Sequence, residues 1–315
     1  MNDAEFLERW AYWKFALGSD NKTHDPNTLI EQMISMVWGI GVFKSAMYSW
    51  GKEQYPGTDE FKVTPLLFHF VFDNFFKGLC LSLRRITDDG LLEDGERKTD
   101  RSVISIPSLL GDIKTHREDY TRKRLFLAVG REYDTEIVRK RYEEYITQFR
   151  SGQVYSVPQD LIVRFTEDEH CRWDSLSRVP STKRSASDLI ALEYIDLLIS
   201  EASAINSKIK FLTDKFYAHA STPESRASSS GNEENVSLAQ LIELTIQCGK
   251  LVNSISNMLS DATWPFLPVA QFEKWENWGI GWKATRDELE QVWFDWQMEV
   301  ERLNPLPMPP ASTTT

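Results

Sequence analysis

Asp214, Lys215 and His219, in the stretch "TDKFYAH", are of the types that acid–base chemistry uses. His219 follows Lys215 by four residues, so the two share a helix face, and Asp214 falls on a different one. A histidine at the C-terminal end of a helix is favoured as the cation by the helix dipole, and its ordinary pKa lets it exchange a proton near neutrality. The structural alternative is a capping histidine that bonds the last carbonyls of its helix. A second cluster is "SLRRITDD", where Arg85 and Asp88 are three apart and Arg84 and Asp88 are four apart. Either pair can be a helix-surface ion pair worth about 0.2–0.5 kcal/mol. The cluster also closes the most apolar helix of the chain, so it can lie partly buried at a bundle end and meet another charged helix end.

Other chemistries lack their residues. The two "GIG" stretches are not followed by the pattern of a phosphate-binding loop, and the chain has no HExxH, no CxxC and no serine nucleophile elbow. Cys80, Cys171 and Cys248 are far apart. They fit a reducing compartment and give neither a disulfide framework nor a zinc site. We expect no metal and no cofactor. The 36 basic and 47 acidic side chains leave a net charge of -11, which argues against broad charge-driven binding to nucleic acid but leaves room for one small basic cleft. The basic runs "TRKR" and "VRKR" have acidic neighbours and read as solvated helix faces.

The elements that must position these residues are helical. Segments at Ala4–Leu17 and from about Asn27 to Trp50 open the chain. A third starts with Thr64 as N-cap and Pro65 at the first helical position. Its apolar positions Phe68, Phe72, Phe75, Phe76, Leu79, Leu83 and Ile86 cover most of the circumference, which predicts a helix at the centre of a bundle. Arg122 to Arg150 reads as mostly helical, with Ile137, Tyr142, Tyr145 and Phe149 near one face. "LIVRF" reads as a short strand. "SASD" resembles a capping box, so a long helix is predicted to start near Ser185. Its stripe Ile195, Leu198, Ala202, Ile205, Ile209, Leu212 and Phe216 keeps one face inward, and His219 continues it. "SLAQ" opens a helix over Leu238–Leu259, and "TRDE" caps a last one bearing Leu289, Trp293, Trp296 and Val300. Residues 304–315 are too rich in proline and threonine to fold alone. The N-terminus is charged and is no secretory signal. The richest apolar run, "TPLLFHFVFDNFFKGLCLSLRR", is interrupted by His69, Asp73, Asn74 and Lys77. These features predict a soluble cytoplasmic protein, all-α, without a membrane span.

Four segments together, "SLRRITDD", "SVISIPSLLGDI", "LTDKFYAHAS" and "LAQLIELTIQCGKLVNSISNML", resemble the HEPN superfamily, specifically its AbiU-like abortive-infection branch. The resemblance covers about residues 30–112 and 185–260, with 113–184 as an insertion and 261–303 as a tryptophan-rich helical extension of a HEPN-like helical bundle. It implies a bundle that forms homodimers, an Arg-x-x-Asp-type motif in Arg85 and Asp88, and an acid–base group in His219, with Asp214 ordering the motif. Many HEPN proteins are metal-independent RNases, in which a proton must leave the RNA 2′-hydroxyl while charge on the phosphate is stabilised. The chain departs from the pattern at Thr213, which stands where the family's arginine is expected. Lys215 or Arg85 would have to replace that charge, and lysine is the poorer bidentate phosphate clamp.

Two functions follow as expectations. One is an RNase or RNA-binding effector of a prokaryotic defence or toxin–antitoxin system, a homodimer with His219 as acid–base group and an antitoxin or other protein as partner. The other is a non-catalytic interaction protein on the same scaffold, with Thr213 marking a lost site.

Overall fold

The computed structural model describes residues 1–19, 25–51, 65–88, 104–150, 159–213, 237–259 and 285–300, with Phe266, Arg302 and Leu306. Those residues form ten α-helices and no strand; one isolated bridge joins Thr121 to Leu189. The helices are α1 (Asp3–Leu17), α2 (Leu29–Gly51), α3 (Pro65–Ile86), α4 (Ile106–Thr115), α5 (Arg122–Ala128), α6 (Thr135–Arg150), α7 (Gln159–Ser177), α8 (Leu192–Leu212), α9 (Leu238–Met258) and α10 (Arg286–Val300). The all-α reading is therefore correct.

Local signals set several ends. Asn2 and Glu5 form a reciprocal capping box at the start of α1, Ser237 and Gln240 form another at α9, and Thr285 with Glu288 a third at α10. α1 stops at Gly18, whose φ of 96° is left-handed; a Cβ there would lie 2.5 Å from Thr28 Oγ1, so both conformation and space require glycine.

The core centres on α9, not on α3. α9 packs against α1, α2, α3, α4 and α8, and Leu241, Leu244, Ile246, Leu251, Val252 and Ile255 are all buried. In α3 only the C-terminal half is core: Leu79, Cys80, Leu83 and Ile86 are buried, while Leu66 is 82% and Phe70 64% exposed. α2 supports the other half from one side, where Phe43 stacks on Phe75 with ring centroids 4.1 Å apart. An apolar circumference thus marks length and composition without marking a central position. By the same two properties α3 is long and apolar enough to cross a membrane, but its C-terminal half is held in the bundle core.

Two further expectations need correction. "LIVRF" lies within α7, where the following polar turns carry helical bonding through it. The long helix starts at Leu192, not near Ser185. The Ser185 N–H does donate to Asp188 Oδ2 at 2.9 Å, but residues 186–187 form a turn in which Asp188 N–H donates to the Ser185 carbonyl, and Arg122 and Lys123 N–H donate to the carbonyls of Asp188 and Ala186. Pairing with α5 thus overrides the helix-start signal. Ile137 is exposed on α6, and the side chains of Tyr142, Tyr145 and Phe149, expected near the same face, lie outside the described residues.

Within α8, Ile195, Leu198, Ala202, Ile205 and Ile209 are buried as their spacing predicts. Their partners are α4 and α3, with α4 the more extensive. Tyr120, Leu125, Trp173 and Leu176, from the region read as an insertion, share one apolar core with α1, α4, α8 and α9.

Candidate functional site

α3 ends in an apolar turn whose register decides which arginine turns inward. Cys80 and Thr87 are fully buried, and Arg84 lies between them on that face. Its Nη1 donates to Asn206 Oδ1 of α8 at 2.6 Å and lies 3.4 Å from Asp88 Oδ1. Arg85 points away from α8 and donates through Nη2 to Asn27 Oδ1, on the connection between α1 and α2. The arginine that links α3 to the long helix is therefore Arg84, although the motif reading singled out Arg85.

Asp88 joins the second segment of the resemblance. Ser105, the N-cap of α4, donates its hydroxyl to the Asp88 carbonyl at 2.6 Å and accepts from Ser108 N–H at 3.2 Å. One hydroxyl so caps α4 and fastens the end of α3 to it. The end of "SLRRITDD" thus meets "SVISIPSLLGDI" directly, and Asn206 brings in α8, six residues before the third segment begins.

Asp214, Lys215 and His219 lie outside the described residues, so the proximity of Arg85 and Asp88 to His219 stays an expectation. The last described residue of that segment is Thr213. It is buried, keeps right-handed helical dihedrals, and its Oγ1 donates to the carbonyls of Ile209 (3.2 Å) and Lys210 (3.0 Å). Its side chain is thus satisfied within its own helix.

A denser polar cluster corrects the reading of "TRKR" as a solvated helix face. Arg122 of α5 is fully buried. Its Nη2 lies 2.8 Å from Asp174 Oδ1 and 2.9 Å from Asp188 Oδ2, and its Nη1 donates to the His170 carbonyl at 3.1 Å. Arg184 meets Asp174 through Nε and Nη2 and Glu167 through Nη1, at 2.8–3.0 Å. Burial works to raise the Asp174 carboxyl, but the two guanidiniums outweigh it and hold the group below the ordinary carboxylate range. Glu167 is held low in the same way by Arg184 and Thr135. His170 is pushed below the ordinary imidazole range, first by burial and then by the charges of Arg184 and Arg122, against the opposing pull of the Tyr133 carbonyl and Glu167. The pairs lie from 10 to 66 residues apart in sequence, so no helix-spacing rule finds them.

The buried cysteines show no reactive setting. Burial pushes the Cys80 thiol up to about 12 and Cys248 higher. Among the described residues no group of His, Cys, Asp or Glu is placed to hold a metal ion.

The Arg84–Asp88–Ser105–Asn206 group can hold three helix ends together and present the Arg85 guanidinium at the surface. The Arg122 cluster can lock α5, α7 and residues 184–188. Compared with models of known families, with curated proteins and with solved structures, the chain matches none of them.

Proposed function

We propose that the protein is a non-catalytic helical interaction protein on a HEPN-like bundle, acting in a prokaryotic defence or toxin–antitoxin system as a homodimer with a protein partner. The observation that carries this reading is Thr213. At the position where a phosphate-clamping arginine would stand, a buried hydroxyl is engaged by the carbonyls of its own helix. It offers neither charge nor a free donor to an RNA phosphate.

A specific contact favours a second reading, a metal-independent endoribonuclease with His219 as acid–base group. Arg84 is hydrogen-bonded to Asn206, so a guanidinium already stands beside the helix that leads to Asp214, Lys215 and His219. Arg85, one residue on, is exposed. The two readings separate on one assay. Purified protein is incubated with RNA in chelator, wild type beside His219→Ala. We expect no difference between the two. Cleavage that is lost in His219→Ala would overturn the non-catalytic reading and establish the ribonuclease.

A further inference from the structure

His170 is 4% exposed and stands at the junction of three elements. Its Nε2 lies 2.9 Å from the Tyr133 carbonyl, which can only accept, so Nε2 carries the proton of the neutral ring. Nδ1 is then the bare nitrogen, and it faces Arg122 Nη1 at 3.4 Å, a group that can only donate. Both nitrogens are thus served by a ring with one proton. A second proton, on Nδ1, would point at a guanidinium that Asp174 and Asp188 hold in place. Phe126 closes one side of the ring, with centroids 4.5 Å apart, and Tyr133 another.

The surrounding charges leave no vacancy for an imidazolium. Arg122 comes from α5 and Arg131 from the connection to α6. α7 supplies Glu167, Glu169, Arg172 and Asp174, and residues 184–188 supply Arg184 and Asp188. Arg122 is paired with Asp174 and Asp188, Arg131 and Arg172 with Glu169, and Arg184 with Asp174 and Glu167, while Asp134 of the same connection accepts from the Glu136 N–H of α6. Besides the Tyr133 carbonyl, Glu167 pulls toward the charged ring, but its oxygens are taken by Thr135 and Arg184.

We propose that His170 is a proton-operated latch between α5 and the packed pair of helices α6 and α7, closed by the neutral ring and released by the imidazolium. Protonation sets Arg122 against a like charge and leaves the new N–H without an acceptor. Relief comes when residues 130–135 and the outer turns of α7 swing away from α5 and water reaches the ring. Trp173 and Leu176 stay in the core, so the motion is local and α9 is not involved.

The sign of the pH dependence follows from the closed state binding the proton less well than the open one. Closure is complete above the ordinary histidine range, near pH 6.5, and weakens by up to about tenfold per pH unit below it, until the closed form too is protonated. The test is hydrogen exchange from pH 7.5 to 5, with times scaled for the intrinsic pH dependence of exchange, on wild type and His170→Gln. The amide of glutamine can donate to Tyr133 and accept from Arg122 without titrating. Wild type is expected to lose protection in 130–135 and 165–172 as pH falls, with α9 unchanged, and His170→Gln to stay flat. Equal loss in both proteins, or none in wild type, would overturn the latch. If His170→Gln does not fold, the ring of wild-type His170 is titrated by NMR instead. A midpoint that coincides with opening supports the proposal, and one that does not refutes it.

Discussion

Arg122 is the residue on which most of the buried charge converges. Its guanidinium has no exposed surface, and two carboxylates depend on it. Replacing one partner of a buried ion pair leaves the other desolvated and unmatched, which costs about 3–5 kcal/mol. Arg122→Met is expected to lose that much in a denaturant titration. The double variant Arg122→Met, Asp188→Asn removes a stranded charge as well and should recover part of the loss. A double variant that is no better than the single one would show that the loss comes from packing. Arg85 makes the contrast. It is exposed and bonded to Asn27, so Arg85→Ala should change stability by less than about 0.5 kcal/mol, whereas Arg84→Ala leaves the buried Asn206 short of its donor.

At the scale of elements, two glycines in neighbouring helices have opposite demands. A Cβ on Gly41 of α2 would lie 2.5 Å from the Trp293 ring of α10, and a rigid indole cannot yield as a flexible chain can. Gly41→Ala should therefore cost about 1–3 kcal/mol by overpacking. Gly78 of α3 meets nothing within 4 Å, so Gly78→Ala should stabilise by about 0.5–1 kcal/mol through helix propensity alone. Denaturation midpoints of the two variants should move in opposite directions. The same elements mark how far the sequence could be read. Periodicity found the buried stripe of α8, because apolar spacing and burial share one cause. Capping boxes at Ser237 and Thr285 gave the starts of α9 and α10, because their bonds are local. The "SASD" signal failed although Ser185 N–H bonds Asp188, because the Asp188 and Ala186 carbonyls accept from the Arg122 and Lys123 N–H groups, remote in sequence. For the candidate site, the alternation of Cys80, Arg84 and Thr87 with Leu81 and Arg85 held the clue to which arginine turns inward. Asn206, beside the buried Ile205, was a second clue, since a buried amide needs a partner. Arg122 reads with "TRKR" as solvated, because its partners Asp174 and Asp188 are remote in sequence and long-range charge pairing leaves no periodic trace.

For the whole molecule, the question is whether the C-terminal tryptophans belong to the bundle or are appended to it. Trp275, Trp278 and Trp282 lie outside the described residues, but Trp293 and Trp296 are part of the shared apolar core. Trp296 is fully buried and donates its indole N–H to the Val37 carbonyl at 3.0 Å, inside α2. Lys44 of α2 reaches Glu299 at 2.9 Å and lies over the Trp296 ring. Trp293 meets Trp38 edge-on with ring centroids 5.9 Å apart. α2 in turn packs against α3 and α9, so a helix fixed this way to α2 has no separate core to unfold into. We expect one cooperative transition that includes α10. Trp296→Ala removes a large buried aromatic and should cost about 3–5 kcal/mol, and the loss should be felt in α9 as well as in α10. Hydrogen exchange on the variant decides the matter. Protection in α9 should fall together with protection in α10, because both report the same global opening. If α10 loses protection while α9 keeps its wild-type value, α10 is an appended element, and the tryptophans it carries are free to serve a partner's surface.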